Sequence, residues 1–264
     1  MQEIFNDLFI FEMANNHQGV LDHGFKIVDS MAKIKDKYEI KAGIKLQYRD
    51  LWPTPNFIHP EYRDRKDMKH VSRFLSTRLT DDEFFGLIKH IKNSGFYAIV
   101  TPFDEASVDK CIMHDVDIIK IASCSVQDWP LLEKISVNER PKIISTGGAE
   151  LSDIDNIVSF FSHKNQAFSI MHCVGIYPAP NDTLNLNWID KLKKRYPFVK
   201  VGYSGHESAD NTDVVKMVVS KGVGLMERHV GVETDKIKLN KYSMNPLEVD
   251  KWVQSALIAK NICG

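Results

Sequence analysis

Eight short apolar runs each end in polar residues with charged or reactive side chains, and the eight runs are spread over almost the whole chain. The set contains a carboxylate suited to proton transfer, lysines and hydroxyls suited to anion binding, and imidazoles suited to metal ligation. In chain order the residues are Glu12, Lys45, Thr101, Lys120, Ser145, His172, Ser204 and the triplet Glu227-Arg228-His229. The same placement repeated along one chain indicates an enzyme.

The apolar runs before these residues are predicted to be β-strands, because they are short and rich in branched and aromatic side chains. Helical stretches separate them, and strands that alternate with helices form parallel βαβ units. Eight such units close into a (β/α)8 TIM barrel, so we expect an α/β fold with a single domain over residues 1–264. The carboxyl ends of barrel strands form the active-site face, where the polar residues would converge.

Helix signals fall between the predicted strands. Thr80-Asp81-Asp82-Glu83 is a capping box that predicts a helix to about Asn93, ended by Gly95. Another helix is predicted from Asp22 to Ile34. Further helix starts are predicted near Glu105, Trp129, Ser152, Asn185, Ala209 and Pro246.

One connection is much longer than the others. Roughly thirty residues separate Lys45 from Thr80, and they are rich in proline, aromatic and basic side chains. A connection of this length in a compact domain is usually a lid, a binding loop or an oligomer contact. Because it follows the second strand, we expect it on the catalytic face.

Composition excludes several classes of protein. The chain is 43% hydrophobic and 26% charged with a net charge of −1, so neither nucleic acid nor an anionic membrane is an expected partner. It has no apolar run long enough to span a bilayer and no signal-peptide pattern at its start. Its four cysteines lack CxxC spacing and are predicted to be buried thiols in a reducing compartment. The expected location is the cytoplasm.

Sorted by charge, the residues at the strand ends predict an anion site. Lys45 and Lys120 are cations on different strands that face one barrel mouth, and Gly147-Gly148 offers backbone N–H groups. Such a set suits a phosphate and a carboxylate together. The hydroxyls on the same rim are those of Thr101, Ser123, Ser145, Thr146 and Ser204.

Two histidines follow neighbouring predicted strands seven and eight. His206 and His229 would therefore lie close together, and two imidazoles with open positions suit Mn²⁺, Zn²⁺ or Fe²⁺. Hydrogen-bonded rim histidines would give the same spacing, so both interpretations stay open. His172 is either a third ligand or a structural residue.

Glu12 ends the first predicted strand, from which a carboxylate can reach the barrel centre. A carboxylate among apolar walls has a raised pKa and can act as a general base or accept a sugar hydroxyl. The structural alternative is an ion pair with Lys45 on the neighbouring strand.

At these residues the chain resembles the sialic acid synthases. The resemblance runs from about Leu8 to Val253, and the joint order of its motifs is far more specific than any single one. The motifs include Phe11-Glu12-Met13-Ala14-Asn15-Asn16-His17-Gln18-Gly19, Ile44-Lys45-Leu46-Gln47, Thr101-Pro102-Phe103-Asp104, Ile119-Lys120-Ile121-Ala122-Ser123, Ser145-Thr146-Gly147, Tyr177-Pro178-Ala179-Pro180, Gly202-Tyr203-Ser204-Gly205-His206 and Glu227-Arg228-His229.

The resemblance implies a metal-dependent enzyme that condenses phosphoenolpyruvate with a sugar aldehyde to a 3-deoxy-2-keto acid and releases phosphate. It implies that the metal is commonly Mn²⁺, held by His206 and His229, and that Glu12, Gln47 and Tyr177 face the acceptor sugar. Members of this family usually pair, so a homodimer is one expected arrangement. The residues implied to hold phosphoenolpyruvate are Lys45, Thr101, Lys120, Ser123, Ser145 and Ser204.

Departures from the family pattern cluster in the acceptor half. Gly175 stands where the family usually has Asn, Ser125 replaces an acidic acceptor contact, and Gly205 replaces the Asp of a Ser-Asp-His triplet. The Lys236–Leu239 segment replaces a Gly-Pro-Asp run. Fewer carboxylates should weaken binding of N-acetylmannosamine, which predicts a different acceptor. The family's C-terminal antifreeze-like domain is expected to be absent from these 264 residues.

Three other classes stay open. A Schiff-base aldolase would use Lys45 or Lys120 as a nucleophile of lowered pKa. A 3-deoxy-octulosonate-type synthase would act on a sugar phosphate and carry extra arginines for the second phosphate. A barrel without catalysis would serve as a binding module, although the retention of Glu12, both lysines and both histidines disfavours it.

Overall fold

The computed structural model describes residues 3–65 and 67–264. Eight parallel strands form a closed barrel in chain order, with the first strand paired to the eighth, so the predicted (β/α)8 barrel is confirmed. The strands are β1 (Leu8–Glu12), β2 (Ala42–Tyr48), β3 (Tyr97–Pro102), β4 (Ile118–Ile121), β5 (Lys142–Ser145), β6 (Phe168–Cys173), β7 (Lys200–Gly205) and β8 (Leu225–His229).

Helices cover the outside of the barrel, and among the described residues no helix is long and apolar enough to cross a membrane. Short 3-10 turns lie at Glu3–Phe5, Pro60–Tyr62, Ser123–Ser125 and Asn181–Thr183. The α-helices are α1 (Leu21–Tyr38), α2 (Lys69–Ser76), α3 (Asp81–Asn93), α4 (Glu105–Met113), α5 (Trp129–Ser136), α6 (Leu151–His163), α7 (Asn187–Arg195), α8 (Asp213–Ser220) and α9 (Pro246–Cys263).

The capping box at the start of α3 forms as predicted: the Thr80 hydroxyl accepts from the Glu83 N–H, and the Glu83 carboxylate accepts from the Thr80 N–H. The long connection after β2 contains α2, which the sequence analysis did not predict. Its Val71 packs with Leu51 and Ile58 in a small apolar cluster outside the barrel. The connection is therefore a folded part of the barrel rim.

The barrel interior changes from apolar to polar over two residues of each strand. Alternate residues of a strand share one face, and the deeper inward positions form a closed apolar cluster that includes Ile10, Ile99, Ile118, Ile143, Met171 and Leu225. The next inward positions along the same strands are Glu12, Thr101, Lys120, Ser145, Cys173 and Glu227. The polar residues therefore belong to the strands themselves and point into the barrel, directly above a layer of apolar side chains.

The residues between these inward positions lie on the other face of each strand and point toward the helices. Arg228 on β8 is fully buried there, and its Nη1 donates to Glu207 Oε1 at 2.6 Å. The Tyr203 hydroxyl donates to the other oxygen of the Glu207 carboxylate at 3.0 Å. These bonds fix the loop after β7, and α8 accordingly starts at Asp213 instead of near Ala209 as predicted.

We expect Gly202→Ala to destabilise the barrel and Gly86→Ala to stabilise it. A Cβ at Gly202 would lie 2.6 Å from Leu225 Cγ and 2.7 Å from the Leu225 carbonyl oxygen, and the overpacking should cost roughly 1–3 kcal/mol. A Cβ at Gly86 in α3 meets nothing within 4 Å, so Gly86→Ala should raise the free energy of unfolding by about 0.5–1 kcal/mol. Urea unfolding midpoints measure both. Equal midpoints for the two variants would contradict the tight β7–β8 packing.

Candidate active site

Four buried charges of alternating sign form a continuous network at the mouth of the barrel. Glu12 on β1 pairs with Lys45 on β2, and Lys45 Nζ also lies 3.5 Å from Glu227 Oε1 on β8. Glu227 Oε2 accepts from Lys120 Nζ on β4 at 2.9 Å. Four strands therefore contribute one charge each, and the formal charges sum to zero.

Neutral donors complete the coordination of both carboxylates. Gln47 Nε2 donates to Glu12 Oε1 at 3.3 Å, and the Ser204 hydroxyl donates to Glu227 Oε1 at 3.0 Å. Lys45 also lies 3.4 Å from the Thr101 hydroxyl. Buried charges persist only when they are paired and hydrogen-bonded, and both conditions are met here.

The network sets the protonation of its members. Burial alone would raise the pKa of Glu227, but the charges of Lys120 and Lys45 outweigh burial and lower that pKa to about 2. Burial lowers the pKa of Lys45 to about 8, against the opposing effect of Glu227. At neutral pH Glu227 is therefore anionic and Lys45 is mainly cationic.

A cavity of about 380 Å³ lies directly above the network. Ten of the residues predicted to bind substrate or metal line it, so the structure brings this part of the predicted site together. Thr146 and Gly148 of the predicted anion site do not line it, and neither does Glu12, whose side chain is fully buried beneath Lys45. The ion pair that the sequence analysis gave as the alternative for Glu12 is present. The lining residues predicted beforehand are Lys45, Gln47, Thr101, Lys120, Ser123, Ser145, Tyr177, Ser204, His206 and His229.

The glycine turn after β5 is held by the hydroxyl of Ser123. The Gly147 N–H donates to Ser123 Oγ at 3.1 Å, and Cys173 Sγ lies 3.1 Å from the same oxygen. A Cβ on Gly147 would come within 2.7 Å of Cys173 Sγ, which explains the glycine. The Thr146 hydroxyl donates to the Met171 carbonyl instead of facing an anion.

His206 and His229 lie side by side at the rim, with ring centroids 5.5 Å apart. His206 Nδ1 lies 2.8 Å from the Val174 carbonyl oxygen and donates to it, which leaves Nε2 as the unprotonated nitrogen. Burial lowers the pKa of His206 to about 4, and burial, together with the neighbouring His206 imidazole and the charge of Lys45, lowers the pKa of His229 well below its usual value.

The two imidazoles fit a divalent metal with open positions, since both are neutral at pH 7 and one is oriented by a carbonyl. Within residues 3–65 and 67–264, no group of three or more His, Cys, Asp or Glu side chains is arranged to hold a metal ion. Water or substrate would have to supply the remaining ligands. His172 points away from this pair, because its Nε2 is 2.8 Å from the Leu184 carbonyl oxygen, so it is the structural residue of the two interpretations.

The structure adds three residues to which the sequence analysis gave no role in the site. Glu227 joins both lysines, Arg49 lines the cavity, and the Tyr242 ring contacts the His229 ring edge-on with centroids 5.1 Å apart. Strand alternation could have identified Glu227, because it lies two residues before His229 on an inward-facing register. Tyr242 comes from the loop after β8, and no sequence signal marks its contact.

The NeuB family sequence profile matches residues 34–264. A solved structure, a putative spore coat polysaccharide biosynthesis protein E from Chromobacterium violaceum, is 44% identical with a TM-score of 0.95, over 98% of this chain and 76% of that one. The structure of an N-acetylneuraminic acid synthetase from Leptospira borgpetersenii is 27% identical with a TM-score of 0.83, over 98% of this chain and 85% of that one.

A curated relative, the N,N'-diacetyllegionaminic acid synthase of Campylobacter jejuni, is 31% identical over 84% of this chain and 66% of its own length. The chain spans about two thirds of the length of the curated relatives that it matches. The similarity therefore covers the barrel and its site.

We expect Glu227→Gln to destabilise the protein by about 3–5 kcal/mol at pH 7, because it leaves two buried lysines with one carboxylate between them. The matched control is Glu61→Gln, whose side chain is 76% exposed and should change stability by less than about 0.5 kcal/mol. Urea unfolding measures both variants.

The same variant has an expected pH dependence. The folded-state pKa of Glu227 is depressed, so its stabilising effect is complete above its ordinary pKa of 4.5 and is lost as the pH falls toward 2. The stability gap between the wild type and Glu227→Gln should therefore narrow between pH 5 and pH 3. A gap that is constant over this range would show that Glu227 is not held ionised by the lysines.

Proposed function

This chain belongs to the NeuB family, and from that premise we propose that it condenses phosphoenolpyruvate with an open-chain aldose to give a 3-deoxy-2-ketoaldonic acid and free phosphate. Its relatives are synthases of sialic-type acids, so the chain is an enzyme of the C–C bond-forming kind. The observation that carries the proposal is one cavity that joins a lysine- and hydroxyl-lined floor to a pair of neutral imidazoles.

The floor of the cavity suits phosphoenolpyruvate. Lys45 and Lys120 supply charge-assisted donors for its phosphate and carboxylate, and the hydroxyls of Thr101, Ser145 and Ser204 lie around them. Because both lysines are already paired, the anion would replace a carboxylate as their partner. This exchange lets the site hold the lysines protonated and in place before the substrate arrives.

His206 and His229 would hold the divalent metal, which we propose is Mn²⁺. When bound, such an ion supplies a Lewis acid that polarises the aldehyde oxygen of the acceptor. Tyr177 stacks on His206 with centroids 4.1 Å apart, and Tyr242 covers His229, so the two rings restrict where the imidazoles can point.

In the proposed reaction C3 of phosphoenolpyruvate attacks the aldehyde carbon, and water adds to C2. The resulting tetrahedral intermediate expels phosphate with cleavage of the C2–O bond. Lys45 and Lys120 neutralise the phosphate throughout. When Lys45 turns toward that anion, the Glu12 carboxylate beneath it becomes accessible from the cavity. Glu12 would then manage the proton of the attacking water or of the sugar oxygen.

The ion pairs argue against a Schiff-base aldolase. A nucleophilic lysine must be free to attack a carbonyl, whereas Lys45 and Lys120 are each held in an ion pair with a buried carboxylate. The identity of the acceptor sugar, a cytoplasmic location and pairing as a homodimer remain predictions.

We expect phosphate release from phosphoenolpyruvate to require both an aldose and Mn²⁺. The test incubates chelator-treated protein with phosphoenolpyruvate and a panel of aldoses, with and without added Mn²⁺, and measures free phosphate. Lys120→Met should lower kcat by about 10²–10³-fold, while Lys216→Met, at an exposed ion pair on α8, should leave it unchanged. Release that is independent of every aldose, or absent with all of them, would refute the proposal.

We also expect the metal to depend on His206 and not on His172. Electron paramagnetic resonance of added Mn²⁺ should show one bound ion in the wild type and in His172→Asn, and none in His206→Ala at the same concentration. Loss of the bound ion in His172→Asn with the fold intact would instead make His172 a ligand and would contradict the observed hydrogen bond.

A further inference from the structure

Arg49 is a cation at the cavity with no anion of its own. It follows β2 directly and continues the inward register of Lys45 and Gln47, and it lines the same cavity. Its Nη1 donates to Gln47 Oε1 at 3.1 Å. Among the residues that the structure describes, its buried Nε has no hydrogen-bond partner and its guanidinium makes no ion pair.

Three aromatic rings hold this guanidinium in place. Arg49 Cζ lies 3.8 Å from the Phe103 ring centroid, 4.3 Å from Phe74 and 5.6 Å from Phe57. These rings come from the loop after β3, from α2 and from the long connection after β2. Aromatic faces attract a cation and fix its plane without forming the directed N–H···O bonds that a guanidinium offers. The group is preorganised but not neutralised.

The charge balance of the cavity makes this cation stand out. Lys45 and Lys120 are offset by Glu12 and Glu227, so their network carries no net charge before a ligand binds. Arg49 is the additional positive charge among the described lining residues. Although burial lowers its pKa to about 10, it remains protonated at neutral pH.

Arg49 also lies in the outer layer of the site. In the β2–β3 register Gln47 pairs with Thr101, and the Arg49–Phe103 contact lies one layer further out. Four residues of strand place its Cα about 13 Å from that of Lys45. Its guanidinium reaches back to Gln47, whose amide contacts Glu12, so a ligand that extends outward from Lys45 would meet Arg49 one layer above the floor.

We propose that Arg49 binds an anionic group at the end of the acceptor sugar remote from its aldehyde, so that the preferred acceptor is an aldose bearing a phosphate ester or a carboxylate. The inference rests on the proposed function and names its substrate class. A guanidinium fixed by stacking offers charge-assisted donors to either kind of oxyanion, here from Nη2 and from Nη1, which it shares with Gln47, while Nε is buried. The two anions share this chemistry, and the experiment below separates them.

The test measures phosphate release with one aldose in three forms: neutral N-acetylmannosamine, its 6-phosphate and its uronic acid, with the mannose series as a second set. We expect kcat/KM for one anionic form to exceed that of the neutral form by roughly 10–100-fold. Arg49→Met should remove this preference by lowering kcat/KM for the anionic form far more than for the neutral form, with the KM for phosphoenolpyruvate unchanged within about threefold. Arg49→Lys should keep part of it.

The control is Arg78→Met, since Arg78 also stacks on a ring, Trp52 at 5.3 Å, outside the lining of this cavity. It should leave the preference unchanged. A second readout that needs no turnover is inhibition by the reduced, unreactive hexitol 6-phosphate, which should bind wild type more tightly than hexitol and lose that advantage in Arg49→Met.

The outcomes are distinguishable. Turnover of neutral and anionic aldoses at equal kcat/KM, or an equal loss for both in Arg49→Met, would overturn the role of Arg49 and leave the proposed function standing. A raised KM for phosphoenolpyruvate in Arg49→Met would assign Arg49 to the other substrate and overturn the inference as well. No phosphate release with any aldose would refute the proposed function, and the inference with it.

Discussion

The site depends on the pairing of four buried charges, Glu12, Lys45, Glu227 and Lys120, each from a different strand. An unpaired charge at this depth would cost several kcal/mol, so each of the four can leave its present partner only when another charge or hydrogen-bond donor takes that place. The network also crosses the seam where β1 meets β8, because Lys45 contacts the carboxylates of both strands. The contacts that fix the geometry of the site therefore also hold β1 and β8 together where the barrel closes.

Much of this architecture follows from the order of residues along single strands. An apolar inward residue followed two positions later by a polar one is visible in Ile10 and Glu12 and again in Ile118 and Lys120, which is why the strands and their reactive ends could be predicted. Contacts between side chains of different elements could not be predicted in this way. Whether Glu12 meets the cavity or Lys45 is decided by side-chain placement across β1 and β2.

The long connection after β2 shows the same limit. Its Pro-, aromatic- and Arg-rich composition predicted a functional loop, and the apolar positions of α2, Val71, Phe74 and Leu75, span too few residues to single out a helix there. The setting of Arg49 arises when Phe57, Phe74 and Phe103 converge from separate elements. No local pattern encodes such a convergence, so the residue was visible in the sequence only as one arginine among several.

The partners of the two carboxylates explain how a neutral network can still receive an anion. If Lys45 turns to a ligand, Glu12 keeps the amide of Gln47, and if Lys120 turns, Glu227 keeps the hydroxyl of Ser204. Each carboxylate thus retains a hydrogen-bond donor after its lysine leaves, which lowers the cost of the exchange. Arg49 has no carboxylate to exchange. An anion that reaches Arg49 gains a charge-assisted hydrogen bond without breaking an ion pair. Because the lysines differ from Arg49 in this respect, the outer layer of the cavity is the region that would discriminate between neutral and anionic acceptors.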